Sequence, residues 1–517
     1  MCFLYSKFQS NVYRYPQLKK LWKKVCFPMV KLLYFCLGMI SLVANAEDIH
    51  VNTVNDTSAN DGFCSLREAI ESANTNDVVW PSIGECVAGD GADIVHLPEG
   101  NFLVDNHSNL PFVTENLSIQ GVSSDTTVID ANFTNDSFTG GLLTVNISGV
   151  GDFTLSDLAI VNTWKGKIAM NLISRRDTPQ FQDQDTFKII RCKFSGHGGS
   201  RVIAATAATK LSIVNSTFDD NHMSSDIGGM ISVSNGANVF IQSSTFSNNS
   251  ATQGGAIHIK GALFNGLGVI TSVHLLASTF NANSSEAHGG AIYADEFSFL
   301  SAINSTISGN IADSNENDVG NGGGIYVSNN ASALLKSTIL AGNQDQSPSP
   351  LLRHADLSLN NNSVLVQTGG FNFLGSTAGT LGRFPLSPNI STPNEFNDIA
   401  GFSLAPFDPL LMPLADNGGR TLTMLPILSE MQRSPVIDLG VCISGFTFDQ
   451  RLDINLEESF PETAVFDLVD TGTQGPRACD AGAVELKPED VDFSISDLDS
   501  FCFPIVGSNN KALLTCL

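Results

Sequence analysis

Ser244-Thr245-Phe246-Ser247-Asn248-Asn249-Ser250-Ala251-Thr252-Gln253-Gly254-Gly255-Ala256-Ile257 decides the architecture of this 517-residue chain. The same phrase precedes it as Ser216-Thr217-Phe218, Asn221 and Gly228-Gly229-Met230-Ile231. It follows as Ser278-Thr279-Phe280, Asn283 and Gly289-Gly290-Ala291-Ile292, then as Ser305-Thr306-Ile307, Asn310 and Gly323-Gly324-Ile325. A frayed fifth copy begins at Ser337-Thr338-Ile339. The Phe/Ile anchors are 28, 34 and 27 residues apart, short of the roughly 40–45 residues of a propeller blade. Each copy carries short apolar, β-branched runs such as Leu211–Val214 and Val239–Ile241, separated by Asn, Ser and Gly. Repetition of this kind makes a solenoid of strands. Phe218, Phe246 and Phe280 are then expected to point inward and stack about 4.8 Å apart along the axis. Asn221, Asn249, Asn283 and Asn310 are expected to turn inward and bond neighbouring amides, and the glycine pairs to supply positive φ at a corner.

The Phe-x-x-Asn and Gly-Gly-Ala-Ile pattern resembles the repeats of polymorphic outer-membrane proteins and other right-handed parallel β-helix proteins, over about residues 185–345. The resemblance implies an all-β, right-handed parallel β-helix of the pectin lyase-like kind. The N-terminal segment Cys64-Ser65-Leu66-Arg67-Glu68-Ala69-Ile70 reads as a capping box, with Ser65 the N-cap and Glu68 its partner, opening a short amphipathic helix across the first coil. It also matches the signature of exported bacterial proteins with a CSLREA domain. Towards the other end prolines accumulate and the Ser-Thr-Phe beat stops. Leu414 to Thr421, Ser434 to Asp438, Asp449-Gln450-Arg451 and Cys479 to Glu485 resemble the choice-of-anchor Q domain, which in its family closes a β-helix. Met424 and Leu452 depart from that pattern, where His and Gly are usual.

These segments divide the chain into residues 1–46, a signal peptide; 47–92, the N-terminal cap; 93–345, the β-helix repeats; 346–486, further coils and closure; and 487–517, an acidic linker and a C-terminal β-hairpin. Residues 1–46 hold seven Lys/Arg and no acid, then an apolar stretch and Ala44-Asn45-Ala46, a cleavage site after Ala46. Met29 would open a compact signal as well as Met1. The apolar stretch is too short to span a bilayer, and no transmembrane span is expected after cleavage. Cleavage would move the net charge from −25 to −32, which excludes nucleic-acid binding through a basic surface. Export permits disulfides. Local pairing suggests Cys64 with Cys86, Cys442 with Cys479 and Cys502 with Cys516, leaving Cys192 as a buried thiol.

Many β-helices cleave polysaccharides. Pectin hydrolases of this fold use clustered aspartates with Gly-His-Gly, and Gly196-His197-Gly198 and Asp219-Asp220 occur here in the reverse order. Asp219 and Asp220 therefore read as turn residues and His197 as a loop residue. They remain the catalytic candidates of the enzyme alternative, an extracellular polysaccharide lyase or glycoside hydrolase. Arg175 and Arg176 near Asp177, Asp183 and Asp185 are the lyase counterpart, and read as a solvated insertion. Asp313, Asn315, Glu316, Asn317 and Asp318 form an acidic insertion whose Asp313, Glu316 and Asp318 could hold Ca²⁺ through oxygen ligands, against the plainer reading of a surface loop. No other cofactor is expected. The leading expectation is a secreted or cell-surface protein whose flank binds a glycan or a protein partner without catalysis.

Overall fold

A computed structural model describes residues 47–104, 109–131, 141–147, 151–163, 167–173, 185–207, 209–223, 228–264, 267–328, 330–350, 353–361, 365–429, 431–441, 449–451 and 478–485, and the backbone of 502–506 and 512–516. The chain winds as a right-handed parallel β-helix through three long sheets. Sheet one has 11 strands, from Asp48–His50 to Leu365–Thr368; sheet two has 11, from Gly100–Leu103 to Ile399–Ala400; sheet three has eight, from Gly141–Val145 to Leu357–Leu359. From Leu117–Gln120 to Leu357–Leu359 each coil visits the three in turn. A four-stranded ribbon, Ser250–Ala251 to Gln344–Asp345, runs between sheets two and three.

The register stacks like on like. In sheet two Phe194 pairs with Phe218, Phe218 with Phe246, Phe246 with Phe280 and Phe280 with Ile307. Neighbouring phenyl rings lie 4.8, 4.8 and 4.6 Å apart with planes within 3° of parallel. All four phenylalanines are fully buried, each contributing about 1.5–3 kcal/mol of transfer free energy. Sheet one carries a matching aliphatic column through Ile119, Leu155, Ile189, Ile213, Ile241 and Leu275. The fifth copy is shifted by one residue from the spelling of the repeat. Ile339 pairs with Thr306 and Leu340 with Ile307, so Thr338 holds the place of the repeat serine and Leu340 the core place. Ile339 instead faces outward, where Val436, Leu439 and Ala481 cover it.

Both corners around sheet two need backbone bonds along the axis, and side chains supply them. At the second corner each asparagine accepts from the amide of the asparagine one coil earlier and donates to the carboxamide one coil later. The Nδ2–Oδ1 distances are 2.8 Å for Asn221 to Asn249, 2.8 Å for Asn249 to Asn283, 2.9 Å for Asn283 to Asn310 and 2.8 Å for Asn310 to Asn343. The second hydrogen of Asn249, Asn283 and Asn310 goes to the carbonyl of Phe218, Phe246 and Phe280 at 3.0, 2.9 and 3.0 Å. At the first corner the repeat serines do the same work. Ser216 N–H donates to Ser244 Oγ at 3.2 Å, Ser244 to Ser278 at 3.3 Å and Ser278 to Ser305 at 3.4 Å. Cys192 precedes them in serine's place, its Sγ donating to the Ile190 carbonyl at 3.4 Å. It is a free, buried thiol, and burial pushes its pKa up to about 12.

Each ladder stops on an aspartate. Asp356 Oδ1 accepts from Asn343 N and Nδ2 at 3.1 and 2.9 Å, and Asp398 Oδ1 accepts from Asn372 N and Nδ2 at 2.9 Å each. The last rung has no successor to donate to, and a carboxylate is an acceptor only. Burial raises the pKa of both, that of Asp356 to about 7.

The N-terminal end is closed by helix α1, Leu66–Thr75. Ser65 accepts from Glu68 N–H and Glu68 accepts from Ser65 N–H, which is the capping box. Leu66, Ala69, Ile70 and Ala73 are buried beneath it, and Cys64 is disulfide-bonded to Cys86. Cys479 is also disulfide-bonded, and its expected partner Cys442 lies outside the described residues. Cys502 stands opposite Cys516 in an antiparallel pair, Cys502–Val506 with Ala512–Cys516, whose side chains lie outside the description, as do residues 1–46, expected as a signal peptide, and the expected acidic linker.

From about residue 405 the chain turns back as a strap along the outer face of sheet two. Gln450 Nε2 donates to Thr245 Oγ1 and Thr421 Oγ1 at 2.8 and 2.9 Å, while its Oε1 accepts from Thr279 Oγ1 at 2.6 Å. Ala483 N–H donates to Thr306 Oγ1 at 3.0 Å. These are the threonines of the Ser-Thr-Phe/Ile phrase, fully buried because the strap covers them. Arg451, itself buried, pairs with Asp449 and donates to the Glu485 carbonyl at 2.6 Å. Gly419 sits at φ 83° where a Cβ would fall 2.6 Å from Arg451 Cα, which accounts for glycine there.

Two outcomes follow from these contacts. Asn283→Ala removes four hydrogen bonds and leaves the Phe246 carbonyl without its donor, so denaturant titration should show a loss of about 2–4 kcal/mol. Gln450→Ala should cost about 1–3 kcal/mol and make residues 405–485 the first site of cleavage in limited proteolysis.

Candidate binding face on the third sheet

The residues expected to carry chemistry do not converge. His197 lies in the loop between Lys193–Ser195 and Arg201–Thr206, as expected, but that loop turns it into the core at 1% exposure. It occupies an asparagine place in the second ladder. Its Nδ1 accepts from Thr163 N–H at 3.1 Å, its Nε2 meets the Ile160 carbonyl at 3.0 Å, and its own amide donates to Asn221 Oδ1 at 3.2 Å. A carbonyl can only accept and an amide N–H can only donate, so the ring is the neutral Nε2–H tautomer. Burial lowers its pKa to about 4. Asp219 ends a strand of sheet two, and its Oδ1 accepts from Ser247 Oγ and Asn248 Nδ2 at 2.6 and 3.0 Å. Asp220 follows at φ 56° and pairs with His222 at 3.0 Å. Imidazole and carboxylates thus face different environments, and no general acid–base pair is formed from them.

In the acidic insertion the carboxylates cap their own loop. Asp313 accepts from Asn317 N–H at 3.0 Å and Asp318 N–H at 2.9 Å, and Asp318 accepts from Ser349 N–H at 2.8 Å. Asn315 and Glu316 are exposed, with Glu316 at φ 57°. Among the described residues no His/Cys/Asp/Glu group is arranged to hold a metal ion. Arg175, Arg176, Asp177 and Asp183 lie outside the described residues; Asp185 is buried and accepts from Gly151 N–H at 3.1 Å.

Polar and aromatic groups gather instead on the outer face of sheet three. The residue after each Gly-Gly-x-Ile anchor points outward there. The column runs Ser232, His258, Tyr293, Tyr326, Ser358. His258 stacks on Tyr293 at 5.0 Å, Tyr293 lies 5.3 Å from Tyr326, and His288, from the loop entering the sheet, stacks on Tyr326 at 4.2 Å. Where the strand of Tyr293 ends, Asp295 draws in its neighbours. Lys260 Nζ donates to Oδ2 at 2.7 Å, while Ser328 Oγ and Tyr293 Oη donate to Oδ1 at 2.8 and 3.3 Å.

The ionisable groups of this face are shifted from their ordinary pKa values. Burial opposes ionisation of Asp295, but His258, Lys260, the Glu296 amide and Ser328 outweigh it and hold the carboxyl well below the usual range. Burial and then the Asp295 charge push the Tyr293 phenol up, and burial lowers the pKa of His288. An acid–base catalyst needs a pKa near the working pH, and Asp295 and Tyr293 have been moved away from it in opposite directions. The sequence signal was the residue following each Ile anchor, whose identity changes from copy to copy.

The Chlamydia polymorphic membrane protein (Chlamydia_PMP) repeat matches residues 243–260 and 277–295. Each matched stretch runs from the serine ladder through the stacked phenylalanine and the asparagine to the outward column, ending at Lys260 and Asp295 respectively. The chain is similar to that repeat over these two coils. No curated protein and no solved structure matches it. Among the described residues no helix is long and apolar enough to cross a membrane.

His197 and Asp356 give opposite pH dependences in one window. A histidine whose folded pKa is lowered to about 4 loses stability as pH falls from about 6.5 towards 4. An aspartate whose folded pKa is raised to about 7 loses stability as pH rises from about 4 to 7. His197→Asn, which keeps a donor and an acceptor, should therefore leave a protein whose melting point falls between pH 4.5 and 7. Asp356→Asn should leave one whose melting point rises over the same interval. Thermal melts of the two variants across that range check the sign.

Proposed function

We propose that this is an exported, surface-exposed bacterial β-helix protein that binds a glycan or a protein partner along its flank and does not transform it. The observation that carries this reading is the outward His258–Tyr293–Tyr326 column beside the Asp295–Lys260 pair; the coils of His258 and Tyr293 match a bacterial membrane-protein repeat. Rings set against a few fixed polar groups are the usual composition of a recognition surface. Export is supported by the basic and apolar residues 1–43 followed by Ala44-Asn45-Ala46. The low content of charged residues, 15%, leaves Ser, Thr and Asn to cover the outer faces, which suits contact with hydroxylated surfaces.

The test incubates the purified protein with bacterial and host cells and with a panel of neutral and acidic polysaccharides, scoring retention together with new reducing or unsaturated ends. Retention on at least one surface without new ends is expected. Release of cleaved products would overturn the reading in favour of a lyase or hydrolase.

A further inference from the structure

We infer that the buried carboxylate of Asp93 is the receptor for the α-ammonium group that cleavage after Ala46 creates on Glu47. The inference rests on the export reading above and goes beyond it, because it gives removal of residues 1–46 a consequence for the fold. Asp93 opens the strand Asp93–His96 of sheet one and is 1% exposed. Its Oδ1 accepts from Asp90 N–H at 2.9 Å and from Glu47 N–H at 3.2 Å, and its Oδ2 has no hydrogen-bond partner among the described residues. A carboxylate taken out of water is costly unless charge or several donors face it, and here two neutral amides do. Buried aspartates without a cation occur elsewhere, at Asp185 and Asp356. What sets Asp93 apart is that one of its two donors is the nitrogen of the Ala46–Glu47 peptide itself, the bond that the Ala44-Asn45-Ala46 motif marks for cleavage.

The sheet holds that nitrogen in place. The Glu47 carbonyl accepts from Ile94 N–H at 2.9 Å, and Asp48–His50 then pairs in parallel with Ile94, Val95 and His96, with Ile49 fully buried. Hydrolysis adds water across the C–N bond. The Ala46 acyl group leaves as a carboxylate, and the Glu47 nitrogen becomes a primary amine that takes a proton, since an α-amine has a pKa of about 8. One neutral N–H is exchanged for three on a full charge, with no movement of the strand, and a charge-assisted bond is about twice as strong. Glu47 is exposed, so the ammonium keeps part of its hydration while it faces the carboxylate. Nearby Asp48 is already paired with His96 at 2.8 Å. Strand Asp48–His50 is the edge of sheet one and packs against helix α1, so the new pair fastens the first strand to the cap.

Two chains ending at Leu517 decide the matter, one beginning at Glu47 and one at Ala46, each released from a fusion by a protease that leaves no extra residue. The additional residue moves the ammonium about 3.8 Å along the chain and restores the neutral amide at Glu47. The Glu47 chain should melt about 2 °C or more above the Ala46 chain. Its α-amine should react with an acylating reagent at pH 7 at least tenfold more slowly, read by mass spectrometry of the N-terminal peptide. Asp93→Asn, made in both chains, should bring the two melting temperatures together and free the Glu47 amine to react at the rate of the Ala46 amine. The inference is overturned if the two parents melt alike, or if their difference survives Asp93→Asn. Should that variant not fold, equal acylation rates in the two parents overturn it by themselves. Expression of residues 1–517 in a bacterium, followed by N-terminal sequencing, separates the readings. An exported protein that begins elsewhere than Glu47 overturns this inference alone, whereas a protein retained in the cell with residues 1–46 intact overturns it and export together.

Discussion

Everything in this fold depends on the spacing between adjacent strands. Parallel strands lie about 4.8 Å apart, and any group repeated once per coil meets its own copy at that distance. Phenyl rings stack at 4.6–4.8 Å because the backbone holds them there. The same interval lets an asparagine carboxamide reach the amide and carboxamide of its neighbour. Two buried corners per coil, with chain groups that cannot all bond within their own turn, are thereby satisfied along the axis.

That constraint explains which features were legible in the sequence. The inward phenylalanines and asparagines were readable because the ladder needs the same residue type in every coil. The capping helix was readable from Ser65 and Glu68, since a capping box is local chemistry. The repeat serine was visible as a letter, but its bond to the next serine depends on a register that spacing alone does not give. The slip at residues 337–340 was hidden because Ser-Thr-Ile still spells the repeat, while Ile339 answers to apolar groups about a hundred residues later. The glycines beside His197 pointed to its loop but not to its burial, because an imidazole with one donor and one acceptor reproduces an asparagine's two roles in the ladder.

The outer faces divide by what covers them. On sheet two the repeat threonines are matched by Gln450 and by backbone amides of the strap, so their polarity is spent internally. Asp449 and Arg451 hold that strap together from within. On sheet three the outward residues vary from coil to coil, as Ser232, His258, Tyr293, Tyr326 and Ser358. Uniform positions in this chain therefore serve the solenoid, and the variable ones beside them are free to serve recognition.

The strap also imposes an order of assembly. A coil can form on its predecessor alone, so growth from the capped end proceeds by contacts some thirty residues apart. Gln450 reaches back 171 residues to Thr279 and 205 to Thr245. Those hydroxyls stay hydrated while the chain emerges during synthesis, and are buried only when the last segment arrives. The final fifth of the polypeptide thus acts as a late latch, and a chain cut short before it would keep its spiral but leave one flank wet.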